Sequence, residues 1–445
     1  MKKISTLLLA LLMGASYSQA QCTGGRYTTD LFPAFTVTSD IVYGENKTLA
    51  AANANPVGAN TILTLDFYEP TGDTETKRPL IILAHGGSFA FGTKTDYDVK
   101  LLCEKFAKKG YACASINYRL GLPLDSLKAI DAVARAVQDM KASIRFFNKD
   151  SRDGINTYKI DTNNIFVGGS SAGAITALHV AYLDKSCELQ YYMTPAQIAA
   201  LGGIDGNSGN PCYSSKVAGV INLCGALARY GWMEAGDVPV VSLHGTNDAT
   251  VKYNRGQVNP FTPLVYLDGS RMIHEQAQAV GVSSDFYTFY GGDHVPYNAS
   301  TPAGLAYMDT TVKFVSDFLV KTMGCTETPT QAANTPAQTA TLYAYTTCTG
   351  NVQTDFCAQL AVNDVEKNTI QNVYPNPAAD FVNVNFTAEG KHTVQIIDLM
   401  GRIVSSETST ETSIKLNRGT IKSGSYILKV TDNQGNVSSE NVIFQ

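Results

Sequence analysis

The chain has 445 residues, a length that suits two or three domains better than one compact unit. Hydrophobic residues make up 44% of the chain and charged residues 16%, which excludes a protein that is disordered throughout. The formal net charge is −5 and the sequence has no run of Lys and Arg. This composition argues against nucleic acid or an anionic membrane surface as a partner.

The first twenty residues are typical of an export signal. Lys2 and Lys3 precede an apolar run from Leu7 to Met13, and Ser18-Gln19-Ala20 has the small-x-small pattern of a cleavage site. The apolar run is far shorter than the roughly 20 residues that cross a bilayer. We therefore predict a signal peptide over 1–20 and a secreted mature protein without stable membrane insertion.

The nine cysteines are scattered singly and contain no C-x-x-C pair, which favours disulfides over a metal site. Cys187 and Cys212 flank a polar insertion and are predicted to bridge it. Cys348 and Cys357 lie in a polar, turn-rich stretch and are predicted to close a small loop. Cys224 ends an apolar run and is predicted to be a buried free thiol. Both pairings are hypotheses, because spacing alone does not determine connectivity.

Strand-like and helix-like segments alternate between about residues 61 and 324. Short apolar runs predict buried strands, and apolar residues at spacings of three and four predict helices. The strands are predicted at 79–84, 111–117, 164–168, 217–223, 238–243 and 283–290, and the helices at 97–109, 127–147, 172–183 and 310–321. This pattern predicts an α/β domain with a mostly parallel sheet covered by helices on both faces. Alternation through Leu63, Leu65 and Phe67 predicts an added antiparallel edge strand.

The character of the sequence changes after Cys325. Residues 326–369 are rich in Thr, Ala and Pro and lack apolar periodicity, so we predict a linker there. Later residues alternate with period two in short segments at 381–386, 393–397 and 426–430. They predict a small all-β sandwich over 370–445, which leaves 21–325 as the α/β domain.

A G-x-S-x-G pentapeptide, Gly169-Ser170-Ser171-Ala172-Gly173, lies between a predicted strand and a predicted helix. A serine on such a sharp turn is exposed as a nucleophile, and glycines on either side let the chain fold tightly. The helix that begins beneath Ser171 stabilises developing negative charge. We therefore predict that Ser171 is the nucleophile.

A second motif, His85-Gly86-Gly87-Ser88-Phe89, ends an earlier predicted strand. Small residues let a loop bring its backbone amides close to a tetrahedral oxyanion. The amides of Gly87 and Ser88, together with that of Ala172, are the predicted oxyanion donors. His85 precedes the serine in the chain, so we interpret it as a brace for this loop.

Two further residues complete a predicted triad. Asp248 follows a buried strand, at the edge of the sheet where such folds build their sites. His294 follows the last predicted strand on a glycine-containing loop. The order Ser171, Asp248, His294 is the order expected of an α/β-hydrolase. Structural roles are predicted for the remaining histidines outside the glycine loop, which are His179, His244, His274 and His392.

Residues 60–325 resemble secreted bacterial carboxylesterases of the α/β-hydrolase superfamily. The resemblance rests on HGGSF at 85–89, NYRLG at 117–121, GGSSAG at 168–173 and HGTND at 244–248. It implies a serine esterase that forms an acyl-enzyme and requires no cofactor. The chain departs from the fullest form of the first motif at Ser88, where a third glycine would stand.

The C-terminal segment resembles the type IX (Por) secretion-system sorting domain of Bacteroidetes. Tyr374-Pro-Asn-Pro377, Asp398-Leu-Met-Gly-Arg402 and Ser423 to Val430 support this resemblance, which extends over about 370–445. It implies the type IX secretion machinery as a partner. A carbohydrate-binding sandwich is disfavoured, because this segment has no tryptophan for stacking against sugars.

The sequence thus predicts a monomeric serine carboxylic-ester hydrolase that acts on short-chain or aromatic esters. Acetyl or feruloyl esters of polysaccharide and polyesters such as PET are all compatible substrates. Phe89 and Trp232 are the predicted substrate-binding residues. Two alternatives stay open: a serine peptidase of the same fold, and a catalytically inactive binding or adhesion protein.

Overall fold

The structure is a computed structural model that describes most of the chain after residue 21. The described residues are 22–48, 58–121, 126–258, 265–326, 328–335, 340–344, 348, 350, 369–398, 402–433 and 437–445. The predicted signal peptide over 1–20 lies outside them. The chain divides into two compact units, residues 1–358 and residues 359–445.

The first unit is built around an eight-stranded sheet. In chain order its strands, together with those of a small second sheet, are β1 (Phe35–Lys47), β2 (Asn60–Pro70), β3 (Arg78–Ala84), β4 (Ala112–Ile116), β5 (Ile160–Ser170), β6 (Gly219–Leu223), β7 (Ala226–Leu227), β8 (Val240–Gly245), β9 (Arg255–Gln257), β10 (Tyr266–Gly269) and β11 (Ser284–Phe289). The large sheet has the order β1-β2-β4-β3-β5-β6-β8-β11, and β7, β10 and β9 form the small one. In the large sheet β2 pairs antiparallel with β1 and β4, whereas β4, β3, β5, β6, β8 and β11 are parallel to one another.

Helices cover both faces of the large sheet. They are α1 (Tyr97–Lys108), α2 (Ser126–Asp153), α3 (Ala172–Tyr182), α4 (Ser186–Leu189), α5 (Pro195–Leu201), α6 (Ser270–Val280) and α7 (Pro302–Thr322). Every residue of β3 is buried, and its side chains alternate between two cores. Leu80 and Ile82 belong to one hydrophobic cluster, while Ile81 and Leu83 belong to the other. A strand buried on both faces reads as an unbroken apolar run, so the predicted α/β class is confirmed.

The sequence placed most elements of this unit within a few residues. The closing helix, predicted at 310–321, begins earlier, at Pro302, because the Thr301 side chain caps it by accepting a hydrogen bond from the Gly304 amide at 3.1 Å. Proline at the first helical position is favourable, since its missing N–H would have no helical acceptor there. The small sheet was missed because β7 and β9 have only two and three residues.

The second unit is entirely β in its described residues. Its strands are β12 (Ile370–Tyr374), β13 (Phe381–Phe386), β14 (His392–Ile397), β15 (Ile403–Ser409), β16 (Ser413–Asn417), β17 (Gly424–Thr431) and β18 (Val437–Phe444). They form two antiparallel sheets with the orders β12-β13-β16 and β15-β14-β17-β18. Alternate residues such as Val382, Val384, Val394 and Leu428 build the core. The predicted all-β unit is confirmed.

Part of the predicted linker over 326–369 belongs to the first unit and is hydrogen-bonded to it. Asp317 on α7 accepts hydrogen bonds from the amides of Thr330 and Gln331 at 2.8 and 2.7 Å. Asn334 donates its side-chain amide to the Thr288 carbonyl of β11 at 2.7 Å and accepts from the Thr288 amide at 2.8 Å. These contacts are polar, so a search for apolar periodicity does not find them.

The disulfide predictions are wrong. The structure joins Cys22 to Cys325 and Cys187 to Cys348, with sequence separations of 303 and 161. The predicted pairs Cys187–Cys212 and Cys348–Cys357 join cysteines that are close in sequence. The observed disulfides join cysteines that are distant in sequence and are brought together by the fold. Cys212 is also disulfide-bonded, and Cys357 lies outside the described residues. Cys224 is buried and free, as predicted.

None of the helices in the described part of the chain is both long enough and apolar enough to cross a bilayer.

Candidate active site

Ser171 lies on a sharp turn between β5 and α3. Its backbone has φ +54° and ψ −115°, a conformation that side-chain-bearing residues adopt only under strain. Both glycines of the motif are required by close packing. A Cβ on Gly169 would lie 2.3 Å from the Ala84 carbonyl oxygen, and one on Gly173 only 2.0 Å from it. The sequence therefore permits this turn, which presents Ser171 at the start of α3.

The loop after β3 runs beside Ser171. A Cβ on Gly86 would lie 3.4 Å from the Ser171 Cβ, so the two backbones are in close contact. Gly87, Ser88 and Phe89 have φ values of +96°, +55° and +58°. Three successive residues in the left-handed region form a strained turn, which is closed by hydrogen bonds from the Ala90 and Phe91 amides to the Gly87 carbonyl. Such strain is concentrated at functional sites.

Within the described part of the chain, the backbone amides of the predicted oxyanion donors have no hydrogen-bond acceptor. The amides of Gly87, Ser88 and Ala172 donate no hydrogen bond to any residue that the structure describes. A left-handed position normally favours glycine, yet Ser88 occupies one here. The missing third glycine thus changes the side chain at this position without preventing the turn.

His85 braces this loop from below. Its ring is fully buried, stacks on Tyr118 with centroids 4.4 Å apart, and its Nδ1 lies 2.8 Å from the Gly86 carbonyl oxygen. The Tyr118 hydroxyl donates to the His85 carbonyl at 2.9 Å. Burial lowers the pKa of His85 and so favours its neutral form. These contacts fit the bracing role that the sequence suggests.

Ser171, His294 and Asp248 form one hydrogen-bonded chain. The Ser171 hydroxyl donates to Nε2 of His294 at 2.8 Å, and Nδ1–H of His294 donates to Oδ2 of Asp248 at 2.6 Å. Asp248 follows β8, and His294 follows β11, which is the parallel neighbour of β8. Adjacent carboxyl ends of parallel strands bring the two residues to the same edge of the sheet.

Asp248 is buried and held by four donors. Oδ1 accepts from the amides of Thr250 and Val251 at 2.9 and 2.8 Å, and Oδ2 accepts from His244 at 3.1 Å as well as from His294. Burial alone would raise the pKa of this carboxyl, but the hydrogen bonds from the two histidines outweigh it and hold the pKa well below its ordinary value. Asp248 is therefore ionised and fixed in orientation.

An apolar cavity opens beside Ser171, with about 920 Å³ of empty space including the part open to solvent. No Asp, Glu, Lys or Arg among the described residues lines it. Phe89 and Trp232, the two predicted substrate-binding residues, both line this cavity. The sequence did not identify the other large side chains of its wall, which include Ile175, Leu183, Leu189 and Tyr192.

His179 and Trp232 meet in the wall of this cavity, with ring centroids 5.7 Å apart in an edge-on contact. Nδ1–H of His179 donates to the Ile175 carbonyl at 2.7 Å, and Nε2 accepts from the Ala228 amide at 3.2 Å. Burial lowers the pKa of His179 to about 4. This histidine is therefore neutral near pH 7 and adds no charge to the cavity.

One group among the described residues brings three potential metal ligands within 4.8 Å of one another: Cys224, His244 and Asp248. Burial raises the pKa of the Cys224 thiol to about 12, and a metal would require the thiolate. Nε2 of His244 faces two acceptors, and the carboxylate accepts four hydrogen bonds. These donor atoms are occupied within the protein, so the group does not fit a metal site.

Comparison with known proteins agrees with both parts of the chain. Residues 65–227 match the BD-FAE family, and residues 372–445 match the secretion system C-terminal sorting domain. The prediction of an esterase-like α/β-hydrolase domain followed by a sorting domain is thereby confirmed. The second match supports export by the type IX secretion system.

Individual relatives are more distant. Lipase 1 of Geotrichum candidum is 27% identical over 129 residues, which are 27% of this chain and 22% of that lipase. The chain therefore spans about a fifth of the length of this relative. Thermogutta terrifontis esterase 2 phosphorylated by paraoxon is 21% identical, with 65% of this chain and 95% of that chain covered and a TM-score of 0.46. Its propionate-bound form covers 66% and 97%, with 21% identity and a TM-score of 0.45.

Proposed function

We propose that the protein is a secreted serine carboxylic-ester hydrolase. The observation that carries this proposal is the hydrogen-bonded chain from Ser171 through His294 to Asp248 at the mouth of an apolar cavity. Family matches to an esterase-like model and to a sorting domain support it.

In the proposed reaction, Ser171 attacks the ester carbonyl while Nε2 of His294 takes the hydroxyl proton. The same nitrogen returns that proton to the leaving alcohol, which leaves an acyl-enzyme on Ser171. A water molecule then attacks the acyl group in a second cycle of the same proton transfers. Asp248 stabilises the imidazolium that forms in each step, and its lowered pKa keeps it ionised for this role.

The oxyanion of each tetrahedral intermediate requires donors that are already in position. The amides of Gly87, Ser88 and Ala172 are available for this role, since they donate to no other described residue. The N-terminus of α3 adds the positive end of a helix dipole at the same place. We assign the oxyanion hole to these amides.

The cavity supports an uncharged acyl or aromatic group as the bound part of the substrate. The described wall residues include Phe89 and Trp232 and carry no charged side chain, so the cavity stabilises apolar surface and disfavours an ionised group. Short-chain acyl esters, feruloyl esters and aromatic polyesters all satisfy this requirement. After export by the type IX machinery, the enzyme would act on such esters outside the cell or at its surface.

Hydrolysis of p-nitrophenyl acetate and butyrate tests the proposal. The wild-type protein should hydrolyse both, and Ser171→Ala should lower kcat by about 10⁴-fold or more. Ser170→Ala is the matched control, because the neighbouring Ser170 is buried and accepts a hydrogen bond from the Tyr297 hydroxyl at 3.0 Å, whereas Ser171 contacts His294. Equal activity of Ser171→Ala and wild type would refute the proposal, and a wild type without activity would favour a binding protein.

A further inference from the structure

Two histidines share one oxygen of the Asp248 carboxylate. His244, at the end of β8, is fully buried, and its Nε2 lies 3.1 Å from Oδ2 of Asp248 and 2.9 Å from the Val251 carbonyl oxygen. Both neighbours are acceptors, so Nε2 carries a proton and donates it to them. Oδ2 is the same atom that accepts from His294 at 2.6 Å.

The other nitrogen of His244 is also fixed. Nδ1 lies 2.7 Å from the hydroxyl oxygen of Ser270, at the start of α6. The Asn222 side-chain amide donates to that hydroxyl oxygen at 2.9 Å, and the Asn222 oxygen accepts from the Gly225 amide at 3.0 Å. Because Asn222 is oriented in this way, the Ser270 hydroxyl keeps its own proton to donate. Nδ1 of His244, at 2.7 Å, is a closer acceptor for it than the Gly225 carbonyl oxygen at 3.4 Å. His244 is thereby held in the tautomer that donates from Nε2.

We propose that His244 is a positioning residue for the triad, which holds the Asp248 carboxylate in the orientation that His294 requires, with Ser270 and Asn222 fixing its tautomer. The inference rests on the proposed function. The Thr250 and Val251 amides hold Oδ1, and His244 adds a second donor on Oδ2 beside His294, so rotation of the carboxylate would break all of these hydrogen bonds. The chain of polar contacts thus extends from Ser171 through His294, Asp248 and His244 to Ser270.

Apart from Asp248, the described groups in contact with His244 are uncharged. The Tyr253 ring packs edge-on against the imidazole, with centroids 5.7 Å apart. The Cys224 sulfur lies within 4.8 Å of its ligating nitrogen, and burial raises the pKa of that thiol to about 12, so it is neutral. Val251 contributes a carbonyl and Ser270 a hydroxyl. Among the described contacts of His244, only Asp248 carries a charge.

The chain offers a matched control in His274. This histidine is buried on α6, its Nδ1 lies 2.8 Å from a serine hydroxyl, that of Ser284, and its ring packs against Phe286 with centroids 5.3 Å apart. None of its described contacts involves Ser171, His294 or Asp248. Loss of His274 therefore removes a buried histidine–serine pair without touching the triad.

The test compares His244→Leu, His244→Gln and His274→Leu in the full chain by the pH profile of p-nitrophenyl butyrate hydrolysis. His244→Leu should lower kcat by about 10- to 100-fold, the effect of one hydrogen bond to a charged group, with KM little changed. Without the hydrogen bond from His244, more of the negative charge of Asp248 acts on His294 and stabilises its protonated form. The acid limb of the pH–rate profile should therefore move to higher pH. His244→Gln can donate from its side-chain amide near the Nε2 position and should recover most of kcat. His274→Leu should keep both kcat and the acid limb of the wild type.

Equal kcat values and acid limbs for His244→Leu and His274→Leu would overturn the inference, as would a loss in His244→Gln as large as that in His244→Leu. If His244→Leu does not fold, Ser270→Ala replaces it and should lower kcat by about 2- to 10-fold. An unchanged kcat and acid limb in that variant would also overturn the inference. The proposed function fails separately, when the wild type is inactive or Ser171→Ala retains activity.

Discussion

Ser171 and His294 are 123 residues apart in the chain, and the Ser171 hydroxyl lies 2.8 Å from Nε2 of His294. His85 is closer to Ser171 in sequence, yet its Nδ1 faces the Gly86 carbonyl and its ring is stacked on Tyr118. We therefore expect substitutions of the two histidines to have different effects on catalysis.

Replacement of His294 by alanine should lower kcat on p-nitrophenyl acetate by about 10⁴-fold or more, because it removes the only described base that contacts the nucleophile. His85→Ala should act through loop geometry and cost less in kcat than His294→Ala. Circular dichroism would show whether each variant is folded. A larger loss in His85→Ala than in a folded His294→Ala would contradict the assignment.

The close approach of α3 to β3 predicts a severe effect of Gly173→Ala. A Cβ there would lie 2.0 Å from the Ala84 carbonyl oxygen, a backbone atom that moves only with its strand. We expect loss of both folding stability and activity, measured by thermal unfolding and ester hydrolysis. The control is Gly219→Ala, whose nearest contact would be the Pro239 carbonyl oxygen at 3.2 Å. Comparable melting temperatures for the two variants would contradict this packing.

The buried carboxyl of Glu188 on α4 should make the free energy of unfolding depend on pH. Burial raises the pKa of this carboxyl from 4.5 to about 7, although the amides of Asp184 and Lys185 donate to its Oε2 at 3.0 Å each. Between these pH values the folded protein binds a proton that the unfolded chain has released, so stability falls as the pH rises. The penalty is fully present above about pH 7 and absent below pH 4.5.

Glu188→Gln removes this ionisation. The melting temperature of Glu188→Gln minus that of the wild type should therefore be higher at pH 8 than at pH 4. Glu389→Gln, at an exposed position in the second unit, should show the same difference at both pH values. Equal differences for Glu188→Gln at pH 8 and pH 4 would show that burial does not shift this carboxyl.

The segment after Cys325 predicts how far the catalytic unit extends. Asn334 pairs with β11, and Cys348 is bonded to Cys187 on α4, two residues before Leu189 of the cavity wall. We expect a chain that ends after Cys325 to unfold at a lower temperature than one that ends after Ala358. A disulfide of this kind typically contributes about 2–4 kcal/mol. Equal melting temperatures and equal KM values for the two chains would show that the segment contributes nothing.

The sequence predicted the features of this protein that local patterns encode. Gly169 and Gly173 flank Ser171 because the turn has no room for a Cβ, so the motif itself reports the packing. The alternation of β3 between two cores appears as an unbroken apolar run. The predicted order Ser171, Asp248, His294 then follows from the positions of the strand ends.

Features that depend on distant segments could not be predicted in this way. The Cys187–Cys348 bond joins residues whose spacing carries no signal, and the cavity wall combines side chains from α3, α4 and the loop at Trp232. The position of His244 before a glycine at a strand end does not indicate which carboxylate it contacts, so the sequence predicts only a structural role for it. The hydrogen bond between His244 and Asp248 depends on the turn after β8, which brings residues 248–251 back beside the end of that strand.

The most direct test of the central claim is covalent labelling of the nucleophile. A fluorophosphonate reacts with a serine whose proton is accepted by a neighbouring base, so the wild type should acquire one adduct. Peptide mass spectrometry should locate it on Ser171, while Ser170 stays unmodified and His294→Ala remains unlabelled over the same time. An adduct on another residue, or ester hydrolysis by a protein whose Ser171 never reacts, would contradict the assignment of Ser171 as the nucleophile.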